Sequence, residues 1–449
     1  MTQVKRKYVI LILTLISVFI LSVGQAYNNQ TLLWGTMLLF FAITVFSHKK
    51  YFLPIMLFYL PWSPVLKTSP DTFTFFTLVV PCIFLIIIMS GIKIKDKYRK
   101  EYIFLPIFFT AYTLLVKLLN GFNIDMSYLF FIMMLFFIPI YARKYWEEIE
   151  FETCVLFLTS GVISACIAAK ILMNFPHMLV YIDVYEWENV GLTRLSGFYG
   201  DANFYSVHIL VAIASLLITL SKTSKKTLIV LQIGVIIALL YYGMLSVSKM
   251  FLICAVSIAI LWFFTVVIEK RTLLYKLGLV MTIFLVTVIA IASNLFTKQL
   301  DQYLIRFGMV TDTQSLTTGR SELYEMYFNY LLSSTDKLFF GEGLSSELVN
   351  ELASHNIIIQ IIYQVGVCGL IFLIVWWWIV YSTLPNKVKL GTTEKYYFLI
   401  IIFAYFLPWL SLDMLYFDEF FYITLLSMLA KKYLVSQRKV STVKNKFTK

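Results

Sequence analysis

The sequence predicts an all-α protein, a polytopic integral membrane helical bundle of about 12–14 transmembrane helices with a large, partly helical extracytoplasmic loop. Three observations carry that expectation. First, 60% of the 449 residues are apolar and only 14% are charged, where soluble domains run nearer 45–50% and ~25%. Second, the apolar residues gather into fourteen stretches, most of them near the ~20 residues a helix needs to cross a bilayer. Third, the basic residues alternate between the connections in the way membrane orientation requires. An ordinary soluble enzyme, a disordered chain and a disulfide scaffold are excluded by the same numbers.

In chain order the stretches are 8–23, 31–47, 51–66, 72–91, 102–119, 127–141 and 153–173, then 203–220, 228–244, 250–268, 273–295, 357–382, 396–410 and 414–430. The first follows Lys5-Arg6-Lys7 and reads as an uncleaved span, because many similar stretches follow it. The third is interrupted by Pro54, Pro61 and Pro64, and the last two are short. Residues 1–449 therefore read as a single polytopic membrane domain. The five cysteines lie inside apolar runs without a CxxC pair, so they are expected to be small buried hydrophobes. No internal repeat and no low-complexity tract is evident.

Alternate connections assigned to the cytoplasm hold 28 of the 37 Lys and Arg residues, including a basic tail at 431–449. Seven fall on the other side (Lys67, Arg194, Lys249, Lys298, Arg306, Arg320 and Lys337), and Lys117 and Lys170 lie within spans. Both termini are then cytoplasmic. The net charge of +12 is an orientation signal spread over short segments facing anionic headgroups. Without a recognition motif beside it, nucleic acid is excluded as a partner.

The extracytoplasmic side has two substantial loops, about 174–202 and about 296–356, which hold most of the acids. A site on that face would be built there. In the longer loop Leu323, Met326, Tyr327, Tyr330 and Leu331 repeat at i, i+3, i+4, i+7, i+8. This predicts a helix with a Tyr-rich apolar face suited to a membrane interface. Thr317 or Thr318 is the expected N-cap. Gly341 and Gly343 break the chain, and Ser345 or Ser346 can cap a second helix with Glu347 in its first turn.

Few residues in these loops can do chemistry. Arg194 lies in Arg-Leu-Ser-Gly-Phe-Tyr-Gly-Asp-Ala-Asn-Phe, where Gly197 and Gly200 permit a tight turn and Asp201 or Asn203 can cap the next span. Arg320 follows Gly319 at a helix start, where a cation opposes the macrodipole, which suggests that it meets an anion. Arg306 reads as a solvated loop arginine. Lys249, in Ser246-Val247-Ser248-Lys249, is a cation at membrane depth that needs an anionic partner or an aqueous cavity. His355 precedes Asn356 and a long span. If Ser354 caps that span, the helix dipole favours a neutral imidazole, fit to act as a general base. Each of these also reads as ordinary, namely a capped helix start, a solvated arginine or an interfacial histidine. His48, His177 and His208 have no surrounding pattern. Four scattered His argue against zinc, and the lack of a Gly-Lys-Ser/Thr loop argues against an ATP-driven pump.

His355-Asn356, nine residues, then Gly366-Val367-Cys368-Gly369 resembles the H-[NSQ]-x9-G-x-x-G signature of the O-antigen ligase/polymerase superfamily, which holds Wzy-type polysaccharide polymerases and WaaL-type ligases. Gly319-Arg320 and Gly341-Glu342-Gly343 resemble its loop elements. Arg194 with Gly197, Asp201 and Asn203 resembles its upstream motif. Ser246-x-Ser248-Lys249 resembles a Ser-x-Ser-Arg element with Lys for Arg, so a point charge replaces a bidentate group. The likeness spans about residues 190–385.

The resemblance implies a metal-independent membrane glycosyltransferase at the outer face of a bacterial plasma membrane. It would polymerise undecaprenyl-diphosphate-linked oligosaccharide into an O-antigen, capsule or exopolysaccharide, with no cofactor and with a flippase and a chain-length regulator as partners. A ligase moving finished glycan to a lipid or protein acceptor is the first alternative, and a lipid-linked oligosaccharide flippase the second. A diphosphate leaving group needs fixed cations, for which Arg194 and Arg320 are the candidates with Lys249 as helper. His355 is the candidate proton acceptor and Asp201 its substitute. Asn203 and Asn356 are candidate glycan or diphosphate contacts.

Overall fold

The computed structural model describes residues 3–69, 72, 74–90, 100–121, 124–182, 184–187, 192–223, 225–268, 278, 294, 296–310, 319–344, 348–383 and 390–447. Eight helices among them are long and apolar enough to cross a membrane, which makes this an all-α, multi-pass membrane protein. The candidate span 273–295 lies almost entirely outside the described residues, as do Thr317, Thr318, Ser345, Ser346 and Glu347.

The first half contains α1 (Gln3–Ala26), α2 (Gln30–Phe46), α3 (Phe52–Tyr59), α4 (Phe75–Met89), α5 (Glu101–Leu119), α6 (Met126–Tyr145) and α7 (Phe151–Leu172). The proline-interrupted third stretch is not one continuous helix. Its helix ends at Tyr59 and passes into a 3-10 turn, Leu60–Val65, that holds Pro61 and Pro64. The freed carbonyls find side-chain donors: Tyr199 Oη–H donates to Leu60 O at 2.8 Å, and Gln25 Nε2 donates to Val65 O at 2.8 Å. Broken backbone at membrane depth is tolerated where protein satisfies it in this way. Phe52–Tyr59 is buried on every side.

A short helix α8 (Leu179–Ile182) and the antiparallel strands β1 (Val184–Trp187) and β2 (Leu192–Leu195) follow, with Tyr185 opposite Arg194. Then come α9 (Ala202–Lys222), α10 (Lys226–Met244) and α11 (Lys249–Ile268). α9 is the centre of the bundle, packed against α7, α10 and α11, and buried along almost its whole length. Its small polar residues reach neighbours rather than lipid, as in Ser206 to Ser246 (3.0 Å) and Ser215 to Tyr405 (2.6 Å).

The long loop contributes α12 (Thr297–Gly308), α13 (Arg320–Leu332) and α14 (Thr335–Phe340). α15 (Ile357–Thr383), α16 (Thr392–Tyr405), a 3-10 turn at Leu407–Ser411 and α17 (Glu419–Phe447) complete the chain. Two expectations for the loop are corrected. The Tyr-rich face of α13 meets protein, not a membrane interface, since the Tyr327 and Tyr330 rings lie 5.3 and 5.6 Å from that of Tyr363 and Leu331 is buried. The second helix precedes Gly341 instead of following Gly343, and residues 348–356 form turns with a Val349–Leu352 bridge. The cysteine expectation holds for Cys154, Cys166 and Cys254, whereas Cys82 is half-buried and Cys368 exposed.

Candidate functional site: a cationic cavity

The turn that joins α10 to α11 organises the site. The last four carbonyls of α10, which a helix leaves without partners of its own, are met by the N–H groups of Leu245, Ser246 and Val247, and the turn carbonyls 245 to 248 receive donors from β2 and from α12. Leu195 N–H donates to Leu245 O (2.9 Å) and Arg194 Nε to Ser246 O (3.1 Å). Arg306 donates to Val247 O, and Tyr303 Oη–H to Ser248 O (3.2 Å). The carbonyls of this turn thus anchor two guanidinium groups, from β2 and from α12, which Coulomb repulsion would otherwise separate. Ser248 is held in turn, donating to Asn203 Oδ1 (2.7 Å) and accepting from Phe251 N as a cap on α11.

Beside this turn lies a cavity of about 640 Å³. Arg194, Lys249, Arg306 and Arg320 all line it, with Asp201, Asn203 and His355. Met250, Ile253, Cys254 and Leu407 make its other wall apolar. Four cations around one space repel each other. The Arg306 guanidinium is pushed down to about 10, first by burial and then by Arg194 and Arg320, yet it stays charged at neutral pH. Burial raises the Tyr303 phenol to about 12, so it stays a neutral donor. Arg306, expected to be solvated, is therefore part of the site. Nothing in its local sequence marks it, since its position depends on α12 crossing the distant α10–α11 turn.

Asp201 is the N-cap of α9, its Oδ1 accepting from Asn203 N at 2.6 Å. Its carboxylate is engaged in the cap while it lines the cavity. Gly197 has φ +65°, and a Cβ there would sit 2.4 Å from the Tyr205 ring. Gly319 sits at the N-cap of α13 with φ +79°, which turns the chain into Arg320.

His355 occupies the left-handed region at φ 50°. Only a few per cent of non-glycine residues do, with His among the enriched types. Asp413 holds the turn: its carboxylate accepts from Ser354 Oγ–H, from His355 N (3.2 Å) and from Asn356 N (3.2 Å). The cap of α15 is Asn356, not Ser354, because Asn356 Oδ1 accepts from Ile358 N (3.0 Å) and Ile359 N (3.4 Å). Asn356 is thus used within the helix start and does not line the cavity, and His355 precedes the helix instead of opening it.

The remaining motif glycines interlock away from the cavity. α15 breaks at Gly366 (φ 65°, ψ −179°), and a Cβ there would stand 2.1 Å from Phe339 O. The carbonyls freed by the break are met by Glu342 N to Tyr363 O (3.0 Å), Gly343 N to Gln364 O (2.8 Å) and Tyr112 Oη–H to Val365 O (2.7 Å). Gly341 is the other half of this contact, facing the backbone of Val365 and Gly366, while Gly343 faces Thr113 and Lys117 of α5 and Gly369 packs on Val365. The glycine spacing thus builds the support that sets the angle of α15 below His355.

Two groups escaped the sequence reading. Asp413 belongs to the 412–418 connector, which is tied to α15 by Gln360 Oε1 accepting from Leu415 N (3.0 Å) and by Tyr416 Oη–H donating to Gln364 Oε1 (2.7 Å). A glutamine pair at i and i+4 inside an apolar span was its visible signal. Behind the Gly197–Gly200 turn, His208 Nε2 meets Glu419 Oε1 at 2.9 Å, and the Tyr199 hydroxyl oxygen lies against the same carboxylate oxygen. His208, read as patternless, is thereby a member of a buried network. Among the described residues no His, Cys, Asp and Glu group could hold a metal ion. Comparison of the chain with protein families, characterised proteins and solved structures returns no match.

Proposed function

We propose that the protein is a membrane glycosyltransferase that extends a surface polysaccharide from undecaprenyl-diphosphate-linked oligosaccharide. The observation that carries the reading is the meeting of Arg194, Lys249, Arg306, Arg320 and His355 at one cavity with an apolar wall. An isoprenoid diphosphate has that division of character, with an anionic head and an apolar tail. In the proposed step a hydroxyl oxygen of the acceptor sugar forms a bond to the anomeric carbon of the donor. The bond from that carbon to the diphosphate oxygen breaks, and the lipid diphosphate leaves with the electron pair. The His355 imidazole takes the hydroxyl proton. The guanidinium groups meet the charge that develops on the departing diphosphate, in a site partly shielded from water where fixed donors count most. Lys249 adds a point charge.

The positive-inside balance supports placing both termini in the cytoplasm of a bacterial cell and the cavity on the opposite face, in a bundle of about 12–14 spans. A ligase that moves finished glycan to another acceptor would use the same cavity. The two separate by experiment. Deleting the gene and resolving the surface glycan on a gel should leave single repeat units on the acceptor. Long glycan retained on the carrier lipid would instead identify a ligase, and units held on the cytoplasmic face a flippase. Normal polymer in cells carrying His355→Ala or Arg320→Ala at normal protein level would sink the assignment of the site.

A further inference from the structure

The helix Thr297–Gly308 (α12) sorts its side chains into three sectors. Facing the protein are Gln299, Gln302 and Tyr303, 3–7% exposed, with Arg306 beside them. On one flank, at i, i+4 and i+7, stand Leu300 (50% exposed), Leu304 (70%) and Phe307 (37%). Lys298 and Asp301 are exposed on the other flank, with Ile305 (37%) between them. The protein-facing sector is polar and the outward flank apolar, the reverse of a helix packed on a water-soluble core.

The position of α12 identifies what the apolar flank meets. Tyr303 and Arg306 dock on Ser248 and Val247, in the turn that ends α10 and starts α11, both long enough to span a membrane. The Lys249 ammonium, at the first residue of α11, lies 5.9 Å from the centre of the Phe307 ring. Along α11 the next outward residues, Ile253, Val256 and Ile260, are 50–58% exposed and apolar. The Leu300–Leu304–Phe307 flank therefore sits at the end of a lipid-facing helical surface. A tyrosine, a lysine and an arginine mark the same level, as they do at bilayer interfaces.

We propose that α12 is an interfacial helix whose Leu300–Leu304–Phe307 flank is immersed in the acyl chains of the bilayer while Lys298 and Asp301 face water. Its third sector closes the cationic cavity. The bilayer thereby holds Arg306 at the depth of lipid phosphates. This inference rests on the placement of one helix and is independent of the reaction proposed above.

Site-directed spin labelling tests it on the full chain in lipid nanodiscs. Cys82 and Cys368, the two thiols that are not buried, are first replaced by alanine. Nitroxide is then attached in separate samples at Leu304→Cys, Leu300→Cys and Lys298→Cys, all exposed positions where substitution leaves packing intact. Collision rates are measured with dissolved oxygen, which concentrates in lipid, and with a water-soluble nickel chelate. The ratio of oxygen to nickel collisions should be several-fold higher at 304 and 300 than at 298. Equal ratios at the three positions would place the flank in water and overturn the proposal. Shielding of 304 and 300 from both reagents would show a protein surface over the flank and overturn it equally.

Discussion

Arg306 stands in the folded protein at a cost. Its pKa is lowered, by burial first and then by Arg194 and Arg320, so the unfolded chain binds that proton more tightly than the folded one. For a cation of this kind the destabilisation is present below the folded value of about 10 and is relieved as pH rises through it. At neutral pH an anion in the cavity relieves it instead. Inorganic pyrophosphate should therefore raise the thermal midpoint of the purified protein, by about 2.7 kcal/mol of stability at a hundred times its dissociation constant. Arg306→Gln and Arg320→Gln should each shrink that shift, and a full shift in both would remove the cavity as the anion site. His355 makes a second case. Its left-handed backbone suits Asn nearly as well. His355→Asn should leave stability within about 0.5 kcal/mol while abolishing the proposed glycan transfer in cells. Asp413→Ala, by contrast, removes the carboxylate shared by three donors and leaves His355 N without an acceptor, while Ser354 Oγ–H and Asn356 N keep weaker contacts to Asn356 O and Ser354 Oγ. It should cost about 1–3 kcal/mol, read as a fall in melting temperature.

At the scale of elements, the glycines after His355 act as one joint. Gly366 breaks α15, and loop 341–344 meets the backbone groups that the break leaves open. Gly366→Ala would add a positive-φ penalty of ~1–2 kcal/mol to a collision of its Cβ with Phe339 O. Gly319→Ala would carry only the backbone penalty, since nothing lies within 4 Å of its Cβ. The melting temperature should therefore fall further for Gly366→Ala. Similar losses for both would show that α14 is not pressed against the kink. The distinction matters for reading motifs, because a glycine pattern beside a chemical residue can be scaffolding. Here His355 faces the cavity while the glycines that accompany it in sequence lie on a different contact.

For the whole molecule, orientation and burial follow different rules. Lys/Arg bias orients the chain through the energetics of insertion, so the sorted charges predict a definite outcome. A cysteine placed at residue 49 should react with a membrane-impermeant maleimide only after cells are opened, and one at residue 298 in intact cells. Reaction at 49 in intact cells would invert the proposed orientation. Burial has no comparable signature, because in a bilayer both the protein interior and the lipid are apolar. α9 and α10 have similar hydropathy, yet α9 is the buried centre and α10 exposes Leu228, Val230 and Leu231.

Composition and spacing alone determined that this is a helical membrane protein, because a bilayer allows few other ways to satisfy a backbone. They also marked Arg194, Lys249 and His355, since a cation or an imidazole near the end of an apolar stretch stands out against its surroundings, and Arg320, a cation at a helix start. Tertiary structure decided the rest. Arg306 joins the cavity through a carbonyl far away in sequence, and Asp413 reaches His355 from the connector before the last helix. His208 finds Glu419 across the bundle, and Asn356 rather than Ser354 caps α15. These are partnerships between distant segments. Local periodicity reports the environment of a residue, but which far-off partner fills that environment is set only when the helices pack.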